Sequence, residues 1–248
     1  MLCHYYKSVF FIHINQQLKL EIVMQLRSLF TLGLLLLSAP LFAYKQLQQF
    51  EHLDLSPTDH VVFWDLDHTL MEPLRYEGSD PWFRELMAHA NDEEKDAVLS
   101  IYHAVQYKTQ VRPTDPALPT LWRHWSKQAI PMLGLTARSS TLAETTHNQL
   151  KSIDLDFHYI GNLNIAVSEL NIDRHIIFMS GASKGTALKA IFEAYPELRK
   201  KKIIFVDDSH HNVQAVEAAL QDIGVDFEVY HYPHSADRYH QTSHVQPF

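Results

Sequence analysis

The chain holds a single cysteine, Cys3, in 248 residues. That excludes an internal disulfide framework and any zinc site built from cysteine thiolates. Glycine is scarce, at seven residues, and no internal repeat is visible. Basic side chains are outnumbered: 21 Lys and Arg stand against 29 Asp and Glu, a formal net charge of −8. A general nucleic-acid binder needs the opposite sign to neutralise phosphates, so nucleic acid is not an expected partner. The N-terminal apolar run, 29–43, carries no charge but falls short of the about 20 residues that span a bilayer.

What is present fits a globular chain. Apolar residues make up 46% and charged residues 20%, which rules out disorder, collagen and coiled coil as the main description. The length suggests about one and a half domains. Arg27 precedes the run LFTLGLLLLSAPLFA, small residues and Pro40 sit near its end, and Ala43 offers a cleavage position. This is the layout of a secretory signal peptide. With Met24 as start, the signal covers 24–43 and residues 1–23 are an upstream extension. Residues 1–43 are thus expected to leave an exported protein, periplasmic or secreted, with no stable membrane anchor. Loss of Cys3 with that segment suits an oxidising compartment.

Beyond residue 43, short apolar runs recur: His60–Trp64, Ile130–Leu135, Phe157–Ile160, His175–Met179, Lys202–Val206 and Phe227–Tyr230. They are nearly continuous rather than alternating, which indicates strands buried on both faces, as in a parallel sheet. Helical stretches separate them, at about Ser140–Ile153, Lys184–Tyr195 and Asn212–Ile223. The expected fold class is α/β, a doubly wound parallel sheet. The stretch 73–125 breaks the rhythm. Helices are expected there at Pro81–Ala90 and Asp92–Tyr107, followed by a proline-rich connection at 111–119. We read it as a helical cap inserted into a core made of 44–72 and 126–248.

The strands end on polar residues. Asp65 follows HVVFW, Thr136 follows IPMLGL, Asp207 follows KIIFV, and Lys184 opens a helix. Ligands of open parallel sheets bind beyond the carboxyl ends of the strands, so these are candidate site residues. Any single such Asp is better read as an ordinary loop or helix cap; the combination is what points to a site. In VVFWDLDHTL, Asp65 and Asp67 stand two apart at a strand end, where both carboxylates can turn into one pocket. Crowded carboxylates require a cation or a proton between them. An all-oxygen site suits a hard divalent ion such as Mg²⁺.

These residues resemble the haloacid dehalogenase superfamily, most of whose members are phosphohydrolases. The resemblance rests on DLDHT at Asp65, MLGLTARSS at Thr136, SGASKGTAL at Lys184 and IIFVDDSHHN at Asp207 and Asp208, in that order over about 57–232. It implies a HAD-like core with a cap between the first and second motifs. It implies Asp65 as a nucleophile that forms an aspartyl-phosphate, and Asp67 as general acid and then base. Asp67 would also offer its backbone carbonyl to Mg²⁺. Thr136 and the backbone of Ala137 would bind phosphate oxygens, and Lys184 would neutralise their charge. Asp65 and Asp207 would hold the metal, with Asp208 acting through water or by positioning, and Asn212 bracing the site.

The expected activity is Mg²⁺-dependent hydrolysis of a small phosphomonoester. The presence of Asp67 favours phosphoester over carbon–halogen chemistry. Alternatives are a phosphotransferase, a binding protein that keeps the fold without turnover, and a metal buffer built on the His-rich end. Trp82, Phe83, Arg84, Tyr102 and Tyr107 are candidates for the pocket wall. Of 17 histidines, His210, His211, His231, His234, His240 and His244 could ligate Zn²⁺, Cu²⁺ or Ni²⁺. We read them as solvated, and His68 as packing or orienting near the site.

Overall fold

The computed structural model describes residues 44–157 and 165–233. The expected signal segment, all of the expected strand Phe157–Ile160 except Phe157, and the tail with His234, His240 and His244 lie outside these residues. The described residues all fall in one compact unit.

The apolar runs build a seven-stranded sheet. Its strands are β1 (Lys45–Gln46), β2 (His60–Trp64), β5 (Met132–Thr136), β6 (Asn171–Asp173), β7 (Ile176–Phe178), β8 (Lys202–Asp207) and β9 (Phe227–His231). Their order is β1-β9-β8-β2-β5-β7-β6. Every pair is parallel except β6 with β7. The doubly wound α/β class is therefore the observed one.

Two strands depart from their expected bounds. The second strand runs from Met132 and includes Thr136, so that threonine is the last strand residue and not the first loop residue. The strand expected at His175–Met179 is shorter, because β6 folds back on it through Arg174 and His175. Both turn residues have positive φ, 44° and 66°. Two-residue hairpin loops demand this backbone but normally take Asn-Gly. Arg-His carries no such signal, and the edge strand was invisible in the sequence.

Strand β2 shows why its run is continuous. Val62 and Trp64 face one apolar cluster, with Val206, Ile204, Met132 and Phe50. Val61 and Phe63 face the other, with Leu188, Ile191, Phe192, Val213 and Leu220. Both faces are thus covered. On the first face, α3 (Leu118–Lys127) packs Trp122 and Trp125 against Trp64, with ring centroids 5.9 and 5.5 Å apart. On the second lie α5 (Lys184–Ala194) and α6 (His210–Ile223). They touch so closely that a Cβ on Gly185 would stand 2.7 Å from the Ala215 carbonyl oxygen. Only glycine permits that approach, and it fixes the start of α5, where Lys184 sits. The helix α4 (Ala143–Ser152) follows β5.

Between β2 and β5 a two-stranded antiparallel ribbon, β3 (Met71–Pro73) with β4 (Val111–Pro113), brackets two helices. These are α1 (Asp80–His89) and α2 (Lys95–Gln106). Ser79 caps α1, its Oγ accepting from the Trp82 N–H at 3.3 Å, and Pro81 occupies the first turn. Helix α2 starts three residues later than expected. The Asn91 Oδ1 accepts from the N–H groups of Glu93 and Glu94 and holds a turn there instead. Helix α1 buries no residue fully, and α2 buries only Tyr102 and Gln106.

Candidate active site

The carboxyl ends of β2, β5 and β8 lie side by side, because these strands are neighbours in the sheet. Asp65 follows β2, Thr136 ends β5 and Asp207 ends β8. Residues far apart in the chain thereby meet.

Lys184 lies at the centre. Its Nζ donates to Asp65 Oδ1 and, at 2.7 Å, to Asp207 Oδ2. All three side chains are almost wholly buried. Burial works against the lysine charge, but Asp207 and Asp65 outweigh it and hold the ammonium above its usual range. Asp65 Oδ2 accepts from Thr69 Oγ1 at 2.8 Å, and that oxygen in turn accepts from the Asp208 N–H at 3.0 Å. Asp207 Oδ1 accepts from Ser209 N–H at 2.8 Å and from Asn212 Nδ2 at 3.2 Å. Asn212 thus braces the acidic pair from α6.

One oxygen from each of Asp65, Asp207 and Asp208 falls within 4.8 Å of the others. Three carboxylates against one ammonium leave a surplus of negative charge. Burial pushes the Asp65 carboxyl up to about 8, with Asp207 and Asp67 adding to it and Lys184 partly offsetting it. Burial likewise pushes Asp208 well above the usual carboxylate range, reinforced by Asp65 and Asp207. An all-oxygen donor set with uncompensated charge fits a hard divalent cation. Among the described residues this cluster contains no histidine.

Asp67 lies outside that cluster and meets a residue the sequence reading missed. Arg138 donates from Nε to Asp67 Oδ2 and from Nη2 to Asp67 Oδ1, both at 2.7 Å. Burial opposes ionisation of Asp67, but the Arg138 charge and its two hydrogen bonds win, so the carboxyl is held below its usual range. The pair spans 71 positions of sequence. The only local hint was an arginine two residues beyond a strand that ends in the site.

The site opens into a cavity of about 530 Å³. Its base includes Asp65, Asp67, Ala137, Asp208 and Asn212. Thr136, Lys184 and Asp207 are not on its wall; they support it from beneath. Thr136 Oγ1 accepts from the Arg138 N–H at 3.2 Å. The outer wall comes from α1 and α2: Asp80, Phe83, Arg84, Leu99, Tyr102 and His103. Phe83, Arg84 and Tyr102 stand where expected, whereas Trp82 and Tyr107 do not reach the cavity. Tyr107 is 59% exposed and faces a different depression. Asp80, Leu99 and His103 were not anticipated.

Three of the other imidazoles have partners. His68, at φ 61°, accepts at Nε2 from the Asp80 N–H at 3.2 Å and so anchors the start of α1. His210 Nε2 meets the Tyr44 hydroxyl at 2.6 Å, and His231 Nε2 meets the Asp208 carbonyl at 2.9 Å. Of the described His68, His210, His211 and His231, His211 alone lines the cavity.

A doubly wound α/β domain with a lysine-bridged cluster of carboxylates at its strand ends is the class that fold and site define. The chain belongs to the family described as "Protein of unknown function (DUF2608)", whose model matches residues 45–246. No curated protein matches it. Solved structures give distant likenesses. A Lactobacillus plantarum chain assigned as a phosphoglycolate phosphatase has 16% identity, TM-score 0.44, and coverage of 68% of this chain and 84% of its own. A HAD family hydrolase from Deinococcus radiodurans, with bound phosphate and sodium, has 14% identity, TM-score 0.37, and coverage of 75% and 96%. A class C acid phosphatase from Bacillus anthracis has 11% identity, TM-score 0.37, and coverage of 80% and 83%. Identities this low say nothing about substrate.

Proposed function

We propose that this protein is a HAD-like hydrolase of small phosphomonoesters, dependent on Mg²⁺. The observation that carries this reading is the contact of Lys184 with both Asp65 and Asp207 beneath a cavity that Asp65 lines. A weak carboxylate nucleophile needs charge neutralised beside it, and an ammonium bonded to Asp65 beneath the cavity floor is placed to do that.

In the first step a carboxylate oxygen of Asp65 attacks phosphorus, forming an O–P bond as the ester O–P bond breaks. The departing alkoxide takes a proton. In the second step water attacks the aspartyl-phosphate, gives up a proton and releases Asp65 with inorganic phosphate. Asp67, two residues on and held in its charged form, is the base for that water. The same carboxyl, once protonated, is the donor for the alkoxide. Lys184 offsets charge at Asp65 and on the transferring group. Thr136 shapes the loop that presents Ala137 to the cavity. Asp65, Asp207 and Asp208, with the Asp67 backbone carbonyl, are the residues that would hold the cation, which when bound supplies Lewis-acid neutralisation of phosphate charge. We extend the proposal to export, on the strength of residues 24–43.

The decisive assay is hydrolysis of p-nitrophenyl phosphate with and without Mg²⁺, beside Asp65→Asn. Turnover that needs the metal and vanishes in the variant supports the reading. A folded protein without turnover on aryl or alkyl phosphates across divalent metals would sink it. N-terminal sequencing of the exported protein tests the signal: a mature start at residue 1 or 24 would refute cleavage after Ala43.

A further inference from the structure

The Arg138 guanidinium has work for every prong. Besides its two bonds to Asp67, Nη1 donates to Thr146 Oγ1 at 3.0 Å and to Gln149 Oε1 at 2.6 Å, while Nη2 also reaches Gln106 Oε1 at 3.3 Å. The Arg138 side chain is 2% exposed. Gln106 is the last residue of α2, and its Nε2 donates to the Gly78 carbonyl, at the entry to α1, at 2.6 Å. Gln149, from α4, donates to the carbonyls of Gln106 and Thr109 at 3.2 and 3.1 Å. One buried guanidinium therefore joins the sheet domain, both ends of the helical pair and a carboxylate at the site.

The helical pair needs such an anchor. Helix α1 buries no residue fully and α2 only two, so apolar burial contributes little to holding them down. Polar docking substitutes for it. Next to Asp67 the same logic recurs, since His68 holds the N–H of Asp80 at the start of α1.

We propose that Arg138 is a positioning residue that couples docking of α1 and α2 to the placement of the Asp67 carboxylate. For turnover this rests on the hydrolase reading above; for docking it does not. A forked, planar donor is required: an ammonium in its place is a point charge and cannot grip both Asp67 oxygens while reaching Gln106 and Gln149. Loss of the fork lets the carboxylate swing, and a displacement of about 1 Å at a reacting group costs about 10²-fold in rate.

The test compares the full chain with Arg138→Lys, Arg138→Ala and Gln106→Met. Hydrogen exchange is followed over residues 79–107 and over β2 and β8, and p-nitrophenyl phosphate kinetics are measured with Mg²⁺. Coupling predicts faster exchange at 79–107 in all three variants while β2 and β8 stay protected. It predicts a fall in kcat of about 10²-fold in Arg138→Lys with KM little changed. It also predicts that added guanidinium restores kcat in Arg138→Ala but not in Arg138→Lys. Unchanged exchange at 79–107 in the two Arg138 variants overturns the proposal. So does a kcat loss in Arg138→Ala that guanidinium leaves untouched. If the unaltered chain hydrolyses nothing, the hydrolase reading fails, and exchange at 79–107 alone decides the docking role.

Discussion

Raising the pH without a divalent cation should weaken this fold, and Asp65 sets the size of the effect. Its carboxyl is raised from 3.8 to about 8 by burial and by its acidic neighbours. The folded state therefore binds a proton that the unfolded chain has already released. Stability from this group is fully present below about pH 4 and is lost as the pH climbs through 8, since the folded state holds more protons across that window. Four units at about 1.4 kcal/mol each give on the order of 5 kcal/mol as an upper bound. Asp208 acts in the same direction. For a domain of this size 1 kcal/mol corresponds to roughly 2–4 °C in Tm, so the fall is at most on the order of 10–20 °C. Scanning calorimetry in EDTA between about pH 5 and 8, against Asp65→Asn, isolates the contribution. The variant should gain Tm on the unaltered protein steadily as pH rises. Mg²⁺ should remove most of the slope from the unaltered protein, because it supplies the missing charge. A Tm difference between the two proteins that stays flat across this range would refute the reasoning.

Other consequences are as direct. The Asp67 carboxyl is held low, with burial opposing ionisation and Arg138 prevailing, so its protonated fraction shrinks as pH rises through the acid range. Hydrolysis of alkyl phosphates, which need that proton, should slow with rising pH by up to about tenfold per unit, while p-nitrophenyl phosphate should not follow; parallel pH–rate profiles for both would reject Asp67 as the acid. Gly185→Ala should cost about 1–3 kcal/mol in a urea melt, since its methyl would meet the Ala215 carbonyl oxygen at 2.7 Å; an unchanged midpoint would show that α5 and α6 can part freely. Ser79→Ala should cost about 1 kcal/mol through loss of the α1 cap, seen as faster amide exchange at 80–89.

The layering of this protein, and the placing of its acidic residues on one sheet edge, are legible in residue order alone. A run such as Val61–Trp64 with no polar residue must be covered on both faces, which dictates helices on either side of a parallel sheet. A carboxylate, threonine or lysine at the end of such a unit then falls on one edge of the sheet by topology alone, which is why Asp65, Thr136, Lys184 and Asp207 could be named in advance. Burial decided the rest. Nothing local in TAR shows that Arg138 turns inward to grip Asp67, because that pairing is chosen by two loops meeting in space. Nor does helical periodicity tell which turn of α1 or α2 looks into the cavity: Phe83 and Tyr102 do, Trp82 and Tyr107 do not. The left-handed turn at Arg174 and His175 is likewise imposed from outside, by strand pairing that outweighs local preference. Local residue order sets which elements form; the close approach of distant side chains in a dry interior sets which charges are paired, and hence what the site can do.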